Sequence, residues 1–157
     1  MEIRKATEQD APTLSVLIAS IISHVPYYND RAKAENIRQY RGEALHRRIK
    51  SPHHLLLIAQ EEGGKIVGFC SGVDQSGTFY AEWIGVDPAT RRQGVAQVLV
   101  DYLFTLLRES GNHKIWLDTR ADNLESISFL QKMNFAKVGE LKNHWFNQDY
   151  YIWEKFL

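Results

Sequence analysis

The sequence predicts an α/β domain built on a mixed, mostly antiparallel twisted sheet of about seven strands, flanked by four helices. Three features point there. Short apolar runs rich in β-branched and aromatic residues follow one another across turn residues in the middle of the chain. A strand, a Pro-led turn, an amphipathic helix and another strand come next in unbroken order. Two more aromatic-rich runs close the chain. Its 157 residues suit a single domain, 1–157, with one substantial core.

Ile3 to Ala6 reads as a short first strand. Thr7 leads into a helix through Asp10, whose Leu14, Leu17, Ile18, Ile21 and Ile22 line one face. His24-Val25-Pro26-Tyr27-Tyr28-Asn29-Asp30 breaks it. A second helix, Arg31 to Lys50, is mostly polar, with Ile37, Leu45 and Ile49 as a sparse apolar stripe, so it belongs at the surface or over a site. Ser51-Pro52 ends that helix. Leu55 to Ala59 and Ile66 to Cys70 form a hairpin around Glu61-Glu62-Gly63-Gly64-Lys65, and Asp74-Gln75-Ser76-Gly77 turns into the strand Phe79 to Val86. The following helix runs through Leu99, Leu103, Leu106 and Leu107 and stops at Gly111. Lys114 to Asp118 is the next strand, parallel to its predecessor across a right-handed crossover. Asn123 to Met133 is a helix with Asn134 as a left-handed cap, and Ala136 to Lys142 and Tyr150 to Phe156 make a closing hairpin.

Lys plus Arg and Asp plus Glu each number 19, so no electrostatic footprint for nucleic acid stands out. The apolar stretch Leu14 to Ile22 is too short to span a bilayer, and the charged N-terminus does not read as a secretion signal. The single cysteine, Cys70, fits a reducing compartment, and a cytoplasmic protein is expected. His46, His53, His54 and His113 lack ligand spacing with Cys or carboxylates, so no metal is expected.

Chemistry concentrates at Val86-Asp87-Pro88-Ala89-Thr90-Arg91-Arg92-Gln93-Gly94-Val95-Ala96. A helix start with Gly94 and the small Ala96 exposes N–H groups that no earlier carbonyl has claimed, at the positive end of the helix dipole. That arrangement suits a pyrophosphate. Read without a ligand, the same residues make a plain helix start with Thr90 as cap and Gln93 closing a capping box. The segment resembles the Gln/Arg-x-x-Gly-x-Gly/Ala signature of the Gcn5-related N-acetyltransferases (GNAT), which bind acetyl-CoA through its pyrophosphate. Asn123 to Phe135 is similar to that family's Asn-x-x-Ala-Ile-x-Leu-Tyr-Glu-Lys-Leu-Gly-Phe, and the element order β-α-α-β-β-β-α-β-α-β-β matches it over essentially the whole chain.

The resemblance implies a sheet splayed between its fourth and fifth strands, with the pantetheine arm in the gap. Main-chain groups of Ile84 and Val86 would hold that arm, with Gly85 as a bulge between them. Arg92, Gln93, Gly94, Val95 and Ala96 would cradle the pyrophosphate, with Arg91 and Arg92 adding charge. Asn123 would touch the CoA or simply cap its helix.

Direct acetyl transfer to an amine needs a base, because an alkylammonium has a pKa near ~10. Glu82, where many family members carry a catalytic Glu, is favoured narrowly over Asp118, whose Leu-Asp-Thr-Arg context resembles the ribosomal-protein alanine acetyltransferases. Val86 N–H is the candidate donor to the thioester oxygen. The family's usual acid, a Tyr, falls at Leu130, so water or another hydroxyl such as Tyr150 or Tyr151 must protonate the thiolate. Cys70 reads as buried packing rather than a nucleophile.

The family's acceptor region corresponds to His24, Tyr27, Tyr28 and Asn29 on one side and His144, Trp145, Phe146, Asn147 and Gln148 on the other. Tyr27, Tyr28, His144 and Trp145 are the substrate-binding candidates, and their aromatic character suits a modest-sized amine. The expected activity is acetyl transfer from acetyl-CoA to the primary amine of a small molecule. A protein N-terminus as acceptor and a non-catalytic acyl-CoA-binding module are the alternatives. Dimerisation is common in the resembled family, and a homodimer is compatible with it, although no residue pattern here specifies one.

Overall fold

In the computed structural model, which describes residues 1–157, strands at Glu2–Lys5 (β1), His54–Gln60 (β2), Ile66–Gln75 (β3), Thr78–Val86 (β4), Lys114–Arg120 (β5), Ala136–Leu141 (β6) and Tyr150–Phe156 (β7) form one sheet. Their spatial order is β1-β2-β3-β4-β5-β7-β6. Only β4 and β5 run parallel, joined by the crossover helix Val95–Glu109 (α4). The other helices are Ala11–Ser23 (α1), Asp30–Gln39 (α2), Gly42–Lys50 (α3) and Leu124–Lys132 (α5).

Two apolar clusters sandwich the sheet, and the two-residue alternation of each strand supplies both. On β2, Leu57 and Ala59 pack with Leu99, Leu103 and Leu107 of α4 and Leu130 of α5. The intervening Leu56 and Ile58 pack with Leu14 and Ile18 of α1 and Leu45 of α3. The sheet therefore has an α4–α5 face and an α1–α3 face. A central sheet buried on both sides explains the near-continuous apolar runs of β2 and β3.

Five helices stand where the sequence predicts four. The predicted helix Arg31–Lys50 breaks at Tyr40 (φ −116°, ψ 29°) and Arg41 (φ −125°, ψ 150°). Tyr40 is almost fully buried, and its hydroxyl meets Ser71 Oγ at 2.8 Å, so tertiary burial overrides helical propensity there.

The helix start also differs in detail. Thr90 ends a one-turn 3-10 segment capped by Asp87, whose Oδ1 accepts from Ala89 N–H at 3.0 Å. No Thr90–Gln93 capping box forms; α4 begins after Gly94, which takes the left-handed φ of 83° that glycine tolerates.

The sheet opens where a splay is expected. β4 and β5 are in register only at Thr78–Lys114, Phe79–Ile115 and Tyr80–Trp116, after which they part. The bulge on β4 is not at Gly85, which faces Phe69 in regular register. It is at Glu82, because Ser71 opposes Trp83 while Gly72 opposes Ala81. The extra residue turns both Glu82 and Trp83 to the α1–α3 face and bends β4 away from β5. Gly85 serves close packing instead: a Cβ there would sit 2.4 Å from Phe69 Cε1. Gly85→Ala should therefore destabilise the fold by about 1–3 kcal/mol through overpacking. Urea unfolding measures this, and an unchanged midpoint would show that Phe69 has room to move.

Candidate active site

The gap between β4 and β5 opens a cleft of about 430 Å³ that crosses the sheet from one face to the other. Asp87 N–H donates to Val67 O on the β3 side at 2.8 Å. By strand alternation, the N–H and C=O groups of Ile84 and Val86 then point the opposite way, into the gap. Both residues line the cleft.

On the α4–α5 face the cleft reaches the start of α4. The N–H groups from Arg92 to Gln97 have no acceptor within the protein. Arg91, Arg92, Gly94, Val95, Ala96 and Gln97 line the cleft, whereas Gln93 does not. Open space surrounds the position a Gly94 Cβ would take, so a ligand can approach this backbone closely. Unclaimed donors, the dipole of a four-turn helix and two arginines fit a polyanion such as the pyrophosphate of CoA. Asn123 also lines the cleft while its Oδ1 caps α5 through Ser126 N–H at 3.0 Å. Lys132, not singled out by the sequence, joins the same wall.

On the α1–α3 face the cleft holds two carboxylates in contrasting surroundings. Glu82 Oε2 is a hub: Arg48 Nη1 lies at 2.6 Å, His54 Nε2 at 2.8 Å, Ser71 Oγ at 3.1 Å and Tyr40 Oη at 3.2 Å. Burial pushes its carboxyl up, but the His54 and Arg48 partners outweigh that and hold it at about 2. Asp118 has no cation partner; Tyr80 Oη donates to its Oδ2 at 2.6 Å. Burial raises the Asp118 carboxyl above its ordinary value, opposed by the Tyr80 hydrogen bond and by the nearby His144.

Tyr27, Tyr28 and Trp83 wall this end, with Tyr28 edge-on to Tyr27 at 5.6 Å and to Trp83 at 5.8 Å. Of the predicted acceptor residues, His144 and Trp145 fall outside the lining. Trp145 packs edge-on against Tyr150 at 5.1 Å and is 43% exposed. Leu130 lies in the wall, fully buried and without a transferable proton. Burial pushes the Cys70 thiol up to about 12, consistent with packing rather than nucleophilic chemistry.

The family model for acetyltransferases (GNAT) matches residues 22–135. The chain belongs to the GNAT family. It is 31% identical over 62 residues to the ribosomal protein bS18-alanine N-acetyltransferase of Escherichia coli, covering 40% of this chain and only 42% of that protein. Over 94 residues it is 32% identical to an acetyltransferase of Pectobacterium atrosepticum, covering 60% and 66% of the two chains. The PaiA N-acetyltransferase of Thermoplasma acidophilum, solved in complex with coenzyme A, matches with a TM-score of 0.85 at 19% identity, over 99% of this chain and 98% of that one. The ribosomal-protein-alanine N-acetyltransferase from Brucella melitensis matches with a TM-score of 0.81 at 22% identity over the full length of both chains. These structures share the GNAT fold with this chain.

Sequence reasoning missed the residues that surround Glu82. Arg48 and Tyr40 sit on or beside the polar helical segment, and His54 starts β2; nothing local marks any of them as converging on β4. The hub makes a pH signature. A carboxyl held at about 2 against an ordinary 4.5 contributes stability that is fully present above pH 4.5 and lost as pH falls through 2. Glu82→Gln should therefore be less stable than the parent at pH 7, with the Tm gap narrowing as the pH falls from 5 towards 2. A gap that stays constant across that range in thermal melts would show that the carboxylate is not held ionised.

Proposed function

We propose that this GNAT chain transfers the acetyl group of acetyl-CoA directly to the primary amine of a small molecule. The observation that carries this reading is a single cleft through the sheet, with unclaimed N–H donors at one end and a half-buried, cation-free carboxylate at the other. Arg91, Arg92 and the N–H groups of Arg92, Gln93, Gly94, Val95 and Ala96 bind the pyrophosphate of acetyl-CoA, while Ile84 and Val86 pair with its pantetheine amides along the open edge of β4. Asn123 supports the same ligand from α5.

Asp118 is the base. The sequence favours Glu82, but a carboxylate held near 2 by Arg48 and His54 is a weak proton acceptor, whereas Asp118 has only a neutral hydroxyl donor and a raised pKa. The ammonium of the acceptor gives its proton to Asp118, and the free amine nitrogen attacks the thioester carbon. Val86 N–H steadies the developing oxyanion, and the C–S bond then breaks. The acylated nitrogen then loses its second proton, which water relays to the thiolate, since Leu130 stands where the family's tyrosine is expected. Glu82 positions the bulge. Tyr27 and Tyr28 contact the acceptor.

The likeness to a ribosomal protein-alanine N-acetyltransferase supports a protein N-terminus as the alternative acceptor. Release of CoA thiol from acetyl-CoA across a panel of alkyl and aryl amines, amino acids and N-terminal peptides tests the reading. Turnover with at least one small amine is expected. Silence across the panel with CoA still bound would leave an acyl-CoA-binding module instead. Within an active panel, Asp118→Asn should lower kcat by about 100-fold or more while leaving the acetyl-CoA KM nearly unchanged. A fall confined to Glu82→Gln would return the base to Glu82.

A further inference from the structure

The last rung of the β4–β5 ladder braces the carboxylate just beyond it. Tyr80 opposes Trp116 on that rung, and the two strands then part. Opposed residues of parallel strands share a face of the sheet, as do residues two apart on one strand. Tyr80, Trp116 and Asp118 therefore stand on the same side. The rings of Tyr80 and Trp116 lie 4.4 Å apart, tilted by 31°. Trp116 is pinned in turn, because its Nε1–H donates to Gln75 Oε1, at the end of β3, at 3.1 Å. From this support the Tyr80 hydroxyl reaches across the start of the gap and donates to Asp118 Oδ2 at 2.6 Å. That length is typical of a hydroxyl bonded to a charged carboxylate.

Asp118 lines the cleft and Tyr80 does not, so the tyrosine holds the carboxylate from outside the cleft. Oδ2 is occupied by this bond, and no side chain of the protein engages Oδ1. A neutral donor suits the task. Arg48 and His54 match the charge of Glu82, whereas a hydroxyl orients Asp118 and leaves its charge unmatched. Burial and the neighbouring carboxylate push the Tyr80 phenol up, so it stays protonated and remains a donor. The other titratable groups about this pair are Glu82 of β4, Arg120 of β5, Tyr150 of β7, Tyr28 between α1 and α2, and His144 between β6 and β7. None of them hydrogen-bonds to Asp118.

We propose that Tyr80 is a positioning residue for acetyl transfer: its hydroxyl, braced by Trp116 and Gln75, fixes the Asp118 carboxylate with Oδ1 towards the acceptor amine. The proposal rests on the reading of Asp118 as the base. An unrestrained aspartate turns about two side-chain bonds, and a base works only within about 2.6–3.2 Å of the proton it takes. Loss of the Tyr80 hydroxyl therefore has two effects. The carboxylate is free to turn away, and its charged form loses its only side-chain donor, which raises its pKa. The base must be ionised to act, so the acid limb of the rate moves to higher pH.

The test is Tyr80→Phe, which keeps the ring against Trp116 and removes only the hydroxyl. Carbon-13 NMR titration follows the Asp118 carboxyl directly, its signal assigned by its loss in Asp118→Asn. The variant should titrate about one pH unit higher than the parent. With acetyl-CoA and benzylamine, the acid limb of kcat/KM should move up by the same amount. The plateau kcat should be about tenfold lower and the acetyl-CoA KM unchanged. An unmoved NMR titration, or a plateau kcat equal to the parent's, overturns the inference and leaves acetyl transfer standing. A moved titration with an unmoved acid limb overturns the inference together with Asp118 as the base. No turnover by the parent with benzylamine or any other amine of the panel, while calorimetry still shows CoA binding, overturns it together with the transfer reading.

Discussion

Two neighbouring parallel strands that stay paired for only three residues govern the rest of this molecule. Beyond Tyr80 and Trp116, the backbone edges of β4 and β5 face each other without a ladder. Buried N–H and C=O groups left unpaired are costly, so such a gap persists only where water or a ligand can satisfy them. The cleft, the exposed edge of Ile84 and Val86, and access from one face of the sheet to the other all follow from that parting. The start of α4 lies at the same gap because the crossover from β4 to β5 must begin there.

The parting has a local cause in the bulge at Glu82, and the bulge has its own support. An inserted residue that turns a carboxylate towards a buried face would be expensive alone. Here polar groups of Tyr40, Arg48, His54 and Ser71, from α2–α3, β2 and β3, converge on one oxygen. Removing any one leaves charge or polarity unmatched in a confined space, so the hub holds the bend of β4 and the α1–α3 layer in one arrangement.

Much of this was legible in the sequence because it is encoded locally. Strand periodicity, the Arg91-to-Ala96 helix start, the Asn123 cap and the two candidate carboxylates each depend on spacing within a dozen residues. What escaped depends on register or convergence between distant segments. Gly85 advertises a special backbone site, yet only the pairing with β3 shows that it makes room for Phe69 while Glu82 carries the bulge. The break at Tyr40 and Arg41 runs into Gly42 at φ 48°, a local stop the sequence reading passed over, and burial of the Tyr40 ring against Phe69 fixes it in place. His144 and Trp145 are in the expected loop, but the left-handed turn at Phe146 and Asn147 aims Trp145 at Tyr150 and not into the cleft.

The same layout separates two carboxylates that the sequence presents as near equals. Glu82 and Asp118 lie on adjacent strands and face the same side of the sheet. The parting of the strands puts them in different company. β4 bends towards the cation of Arg48 and the imidazole of His54, so the Glu82 charge is matched before any substrate arrives. β5 stays beneath the aromatic groups, where Asp118 meets a tyrosine hydroxyl and apolar walls. Desolvation acts on both, and only the presence of a cation decides which carboxylate remains available for a proton. Structural support thus falls to Glu82, and Asp118 is left for the proposed proton transfer, because the other acid was already spoken for by the fold.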